Sequence, residues 1–221
     1  MPGSEVPTSR PRSTTQFFAL AKSVLSLDVP EALTNLQIIP RLDDPDPAVI
    51  AAITEVRTIR TAAVLVPIVD HPEPTVLFTE RPSHLRDHAG QIAFPGGKIE
   101  ALDLTPVGAA LREVEEEVGL DKRFIEPIGY LDVHVTPSGF RILPVLARVR
   151  EGFSLRIESG EVAAAFELPL AFLMAPQNYR RETAQWNALP TSVYSISFNG
   201  RRIWGVTASI LRNLWERTYA G

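Results

Sequence analysis

The sequence predicts an α/β protein in which a mixed sheet is sandwiched between helices and preceded by a helical N-terminal extension. Three observations carry this. Residues 61–69 form a nearly continuous apolar run, suited to a central strand buried on both faces. Residues 105–119 carry an N-cap, a proline at the first helical position, a 3.6-residue apolar stripe and a terminal glycine, the marks of one amphipathic helix. Near the end, Asn199-Gly200 joins two β-patterned stretches before a second amphipathic helix.

In chain order, residues 1–13 are Pro/Ser-rich and expected to be a disordered tail. Residues 14–59 form the extension, with helices expected over 14–27 and 48–58, either to cover the following domain or to form a homodimer. The domain proper is expected over 60–221. Residues 75–80 return as a strand after a Pro-rich turn, and 91–94 form a short strand entering Pro95-Gly96-Gly97. Strands are predicted over 124–135 and 140–150, around the turn Thr136-Pro137-Ser138-Gly139. Residues 162–170 read as a strand entering a short helix. Strands at 192–198 and 201–204 precede the last helix, 207–219.

The chain has 221 residues and no cysteine, which removes disulfides, thiolate metal sites and a cysteine nucleophile. Its formal charge of −4 is local. Lys98–Glu117 holds six acids against two bases, so the remainder balances, and no general nucleic-acid surface is expected. No apolar run is long enough to span a membrane and no signal-peptide core is visible, so no membrane association and a cytoplasmic location are expected.

The informative stretch runs from Leu77 to Leu120. Glu113, Glu116 and Glu117 stand at i, i+3 and i+4, so one helical face presents three carboxylates. Like charges at that spacing repel, and Glu116 and Glu117 lie in the last turn, where the helix dipole disfavours anions. A solvated acidic face is the ordinary explanation of such a run. Here Val107, Leu111, Val114 and Val118 dock the helix and leave the glutamates facing elsewhere, which points to a hard cation, Mg²⁺ or Mn²⁺. Arg112 is placed to orient one glutamate through a bidentate pair.

Gly97–Leu120 resembles the Nudix box: Gly, five residues, Glu, seven residues, then Arg-Glu-apolar-x-Glu-Glu-x-Gly-apolar. Arg112, Glu113, Val114, Glu116, Glu117, Gly119 and Leu120 match its end. The front departs from it: Asp103 stands at the Glu position, and eight residues separate it from Arg112. Upstream, Leu85-Arg86-x-His88-x-Gly90-Gln91-x-x-Phe94-Pro95-Gly96-Gly97 resembles the motif before the box in coenzyme A pyrophosphatases of that superfamily.

The resemblance implies a Nudix-type α/β/α sandwich and hydrolysis of coenzyme A or acyl-CoA to 3′,5′-ADP and 4′-phosphopantetheine or its acylated form. Glu113, Glu116 and Glu117, with the Gly97 carbonyl, would hold Mg²⁺ or Mn²⁺. Water would attack in line with one glutamate as base, drawn from Glu113, Glu116 and Glu161, without a covalent enzyme intermediate. Arg81, Arg86, His88 and Gln91 would contact substrate, and Arg112, Asp103 and Glu100 would orient the box. Two alternatives stay open: the same chemistry on ADP-ribose, NADH or a nucleoside triphosphate, or a Nudix-fold binding module without catalysis.

Overall fold

Strand β1, Arg60–Val69, is the axis of the molecule, and the alternation of its side chains sets up two cores. Val66 and Ile68 face one layer, while Leu65 and Val69 face the other. The computed structural model describes residues 13–43, 46–56, 58–84, 89–136, 139–186 and 189–220. The expected tail therefore lies almost wholly outside the described residues, as do Leu85, Arg86 and His88 of the upstream motif and Pro137-Ser138 of the predicted turn.

Helix α1, Thr14–Val24, begins where the Ser13 hydroxyl accepts from the Gln16 N–H at 3.2 Å. It buries Phe17, Phe18 and Ala21 in the first core, beside Val66 and Ile68, so this helix packs on its own chain. Helix α2, Pro47–Thr54, is capped by Asp46 and packs Val49 and Ile53 against Val135.

β1 runs parallel to β7, Phe140–Val149, over its full length. Its antiparallel pairing with β2, Thr75–Glu80, covers only Ile68↔Val76 and Val69↔Thr75. Beyond that point the two strands part. β3, Ile92–Ala93, pairs with β2, and β4, Gly96–Lys98, pairs with β1, filling the gap. The Leu65 N–H donates to the Pro95 carbonyl at 2.9 Å, which pins the bend between them. This splayed place in the sheet positions the site.

Helix α3, Pro106–Val118, covers one face of the sheet with Ala109, Ala110, Val114 and Val118 against Leu65, Leu77, Leu143 and Val145. Val107 and Leu111 are only partly buried against this core. On the other edge of β2 lies β8, Ala164–Pro169, followed by α4, Leu170–Leu173. A three-stranded antiparallel sheet follows: β9, Tyr179–Trp186, β10, Leu189–Phe198, and β11, Arg201–Trp204. With α1 and α5, Val206–Tyr219, it encloses the first core. The result is a mixed sheet between helices, an α/β/α sandwich.

The predicted strand over 124–135 is in fact two, β5 at Ile125–Tyr130 and β6 at His134–Val135. A register shift between Pro127 and Gly129 starts the break, and the Asp132 N–H turns away to Asn213 Oδ1 at 3.0 Å. β10 starts at Leu189 rather than Ser192, because β9, which the sequence did not announce, pairs with it from there.

Among the described residues no helix is long and apolar enough to cross a membrane.

Candidate active site

The site is built by the bend at Gly96-Gly97 meeting the last turns of α3. Thr105 caps that helix, accepting from the Gly108 N–H at 3.0 Å, with Pro106 in the first turn. Gly119 closes it at φ +65°. The helix's final carbonyls are then used by the following loop: Arg156 N–H donates to Val118 O at 2.7 Å and Glu158 N–H to Glu117 O at 2.9 Å. That anchoring brings Glu161 to the carboxylates of α3.

The two glycines have different reasons to be glycine. Gly96 has φ +153°, and a Cβ there would lie 2.6 Å from Val64 Cα, inside the β1 backbone. A Cβ on Gly97 would fall within 2.6 Å of Glu113 Oε2, so the bare backbone at 97 makes room for that carboxylate. The Gly96 N–H donates to Glu117 Oε2 at 3.3 Å. The doubled glycine in the sequence predicts a backbone that bends closely past the site; the hydrogen bond from Gly96 to Glu117 is visible only in the structure.

The three glutamates share a face but not an environment. Glu117 is buried, Glu113 is partly buried and Glu116 is exposed. Burial pushes the Glu117 carboxyl up to about 8, against the opposing pull of the Gly96 N–H, with the charges of Glu113 and Glu161 adding to the rise and Arg81 countering it. Glu113 is also raised, first by burial and then by Glu116 and Glu161, while Arg112 draws it down. Glu113, Glu117 and Glu161 thus feel one another's charge. Glu115 faces solvent, away from this group.

Arg112 organises the outer half. Its bidentate partner is Asp103, not a glutamate: Nε meets Oδ1 at 3.1 Å and Nη2 meets Oδ2 at 2.9 Å. Nη1 adds single bonds of 3.0 Å to Glu113 and to Glu116, and Nη2 another of 3.1 Å to the Lys98 carbonyl. These contacts hold the Asp103 carboxyl below the usual carboxylate range and raise the guanidinium's own pKa. Glu100 takes part through its backbone, donating N–H to Asp103 Oδ2 at 2.8 Å; among the described residues its carboxylate forms no hydrogen bond or ion pair.

Arg81 and Gln91 face each other across a turn, Arg81 N–H donating to Gln91 O at 3.0 Å. The Arg81 guanidinium acts on Glu117 by its charge, and its Nε is buried without a partner. Arg86 and His88 lie outside the described residues, so the upstream motif is represented here by Gly90, Gln91, Phe94 and the glycine bend.

Among the described residues no three acidic or histidine side chains are already drawn into a ligand set. Arg112 holds Glu113 and Glu116 outward, and Gly96 holds Glu117 inward. The donor chemistry nonetheless fits a hard divalent cation. It is all oxygen, and the carboxylates raise one another's pKa, a strain that a bound cation relieves.

The NUDIX domain model matches residues 59–189. The uncharacterized Nudix hydrolase NudL of Salmonella paratyphi B is 39% identical over 155 residues, covering 70% of this chain and 81% of that protein. Among solved structures, an Ap4A hydrolase binary complex from C. elegans is 17% identical with a TM-score of 0.43, covering 50% of this chain and 80% of that one. The NUDIX domain of Shewanella oneidensis NrtR, complexed with ADP ribose, is 20% identical with a TM-score of 0.41, covering 52% and 76%. The family match over more than half of the chain, together with the relative at 39% identity, shows that this chain belongs to the Nudix family.

Proposed function

We propose that the substrate is coenzyme A or an acyl-CoA, cleaved at its diphosphate linkage to 3′,5′-ADP and 4′-phosphopantetheine or its acylated form. The observation that supports hydrolysis at this place is the group Glu113, Glu117 and Glu161 gathered at the Gly96-Gly97 bend with Arg81 beside it. The choice of substrate rests on the motif from Leu85 to Gly97.

Nudix hydrolases use divalent cations. In this chain Glu113, Glu116 and Glu117, with the Gly97 carbonyl, would hold Mg²⁺ or Mn²⁺, which neutralises diphosphate charge and makes a water more acidic. The chain's own residues do the rest. Glu161 is exposed, on a loop tied to α3, and among the described residues its carboxylate has no hydrogen bond or ion pair. It is the side chain free to take a proton from the attacking water. Arg81 sets a positive charge where the diphosphate must approach a carboxylate cluster that would otherwise repel it. Arg112 restrains Glu113 and Glu116 and fixes the 99–105 loop through Asp103. Water oxygen joins one phosphorus, the bridging P–O bond breaks, and each product leaves with one phosphate of the linkage, 3′,5′-ADP keeping its 3′-phosphate besides.

The test is product analysis by mass after incubation with Mg²⁺ or Mn²⁺ and coenzyme A, beside ADP-ribose and NADH. Formation of 3′,5′-ADP with 4′-phosphopantetheine, abolished by chelator, is expected. Cleavage of ADP-ribose or NADH alone would keep the chemistry and overturn the substrate. Cleavage of none would favour a binding module.

A further inference from the structure

Glu161 is placed by its backbone alone. Its carboxylate has no hydrogen bond or ion pair among the described residues, yet its charge bears on Glu113 and Glu117. What directs it toward α3 is therefore the conformation of the turn that carries it.

The segment from Arg156 to Ala163 is a strap between the two sides of the site. At one end the Arg156 and Glu158 N–H groups hold the last carbonyls of α3. At the other the Ala163 N–H donates to the Glu80 carbonyl at 2.8 Å, one residue before Arg81. Between these anchors the strap has neither helix nor strand to stiffen it. Glu158 does so instead. Its N–H is the group bound to Glu117 O, and its carbonyl accepts from Glu161 N–H at 3.1 Å and from Val162 N–H at 2.9 Å. Its carboxylate bends back over the same turn, where Oε1 accepts from Gly160 N–H at 3.2 Å. A side-chain acceptor for an N–H two residues on favours a turn over an extended chain. One residue thus meets α3, closes the turn and satisfies the amide at its tip.

We infer that Glu158 is a positioning residue for hydrolysis: by accepting from Gly160 it fixes the turn that presents Glu161 to the carboxylates of α3. The inference rests on the reading of Glu161 as the side chain that takes the water's proton. It needs only the acceptor oxygen of Glu158, not its charge, which separates it from a cation ligand or a second base.

With Mg²⁺ present, kcat and KM are measured on coenzyme A, ADP-ribose and NADH. The proteins are wild type, Glu158→Ala, Glu158→Gln, Glu161→Gln and the double variant Glu158→Ala/Glu161→Gln. Loss of one hydrogen bond in the turn should lower kcat of Glu158→Ala by roughly threefold to tenfold, with KM nearly constant. Glu158→Gln keeps an acceptor and should recover most of that loss. Glu161→Gln alone should lose at least roughly a hundredfold, and adding Glu158→Ala to it should cost nothing further. Amide hydrogen exchange at Gly160, Glu161 and Val162 gives a readout free of turnover: protection should fall in Glu158→Ala and return in Glu158→Gln. Unchanged kcat in Glu158→Ala, or a lower kcat without faster exchange, would overturn the inference and leave Glu161 as the base. A Glu158→Gln as impaired as Glu158→Ala, or a further loss in the double variant, would also overturn it, because Glu158 would then act by its charge or on its own. Wild-type turnover in Glu161→Gln, or cleavage of none of the three compounds, would remove the base reading and the positioning role with it.

Discussion

His134 sits in β6 with 2% of its surface exposed, and burial pushes its imidazole down to about 3, with the Arg41 charge adding to the effect. The hydrogen bonds fit a neutral ring: the Ser209 hydroxyl donates to Asp43 Oδ1 at 2.6 Å, so it accepts from His134 Nδ1 at 3.2 Å, and Nε2 keeps a bare lone pair. The sign follows from linkage. Because the folded pKa lies below the unfolded value, the unfolded chain binds the proton first as pH falls. Stability is full above about pH 6.5 and declines toward about pH 3, at roughly 1.4 kcal/mol per unit. Between pH 7 and pH 5 this one group should cost about 2 kcal/mol. Urea denaturation of wild type and His134→Gln at pH 7, 6 and 5 isolates it. Any packing penalty in the variant is a constant offset, while other titrations cancel in the difference. Wild type should lose about 2 kcal/mol more than the variant over that range. Parallel curves would mean that His134 titrates in the folded protein as it does in water, and the burial argument would fail.

At the site, Glu117→Gln should lower kcat on the cleaved substrate by at least roughly a hundredfold while leaving the chelated protein's Tm unchanged or higher, because a carboxyl whose ionised form is opposed by burial and by Glu113 is replaced by a neutral amide. Wild-type turnover in the variant would remove Glu117 from the cation's ligands. The two glycines should separate function from folding. Gly97→Ala meets the movable end of Glu113, so activity should fall with little change in Tm. Gly96→Ala meets the β1 backbone and should lower Tm sharply. Similar Tm losses for the two would refute the division of roles.

Much of the fold was legible because local signals agreed with the global arrangement. β2 was bounded correctly by its turn residues, and α3 by Thr105, Pro106 and Gly119. β9 was not legible. Its residues, Tyr-Arg-Arg-Glu-Thr-Ala-Gln-Trp, gain their strand character from pairing with β10 rather than from an apolar run. The long strand expected over 124–135 failed because tertiary hydrogen bonds, notably Asp132 to Asn213, outweigh local propensity. At the site, sequence spacing placed three glutamates on one face, but only packing could show that 116 is exposed and 117 buried. Glu158 carries no motif at all. Its part depends on a turn closing back on its own carboxylate between Glu117 and Glu80, residues far apart in sequence.

The departure at the front of the box has a physical resolution in Asp103. The carboxylate there is one carbon shorter than glutamate, and the loop to Arg112 is one residue longer. The added length lets the loop close on itself, with the Asp103 N–H donating to Glu100 O at 3.0 Å and the Glu100 N–H returning to Asp103 Oδ2. Asp103 is thereby carried to Arg112 and grips it with both oxygens. The same guanidinium restrains Glu113 and Glu116, so the altered loop still governs the carboxylates of α3 through one arginine. A longer side chain at 103 in this closed loop would have to fold back to make the same two bonds. The one-carbon loss and the one-residue gain therefore act together as a single geometric change.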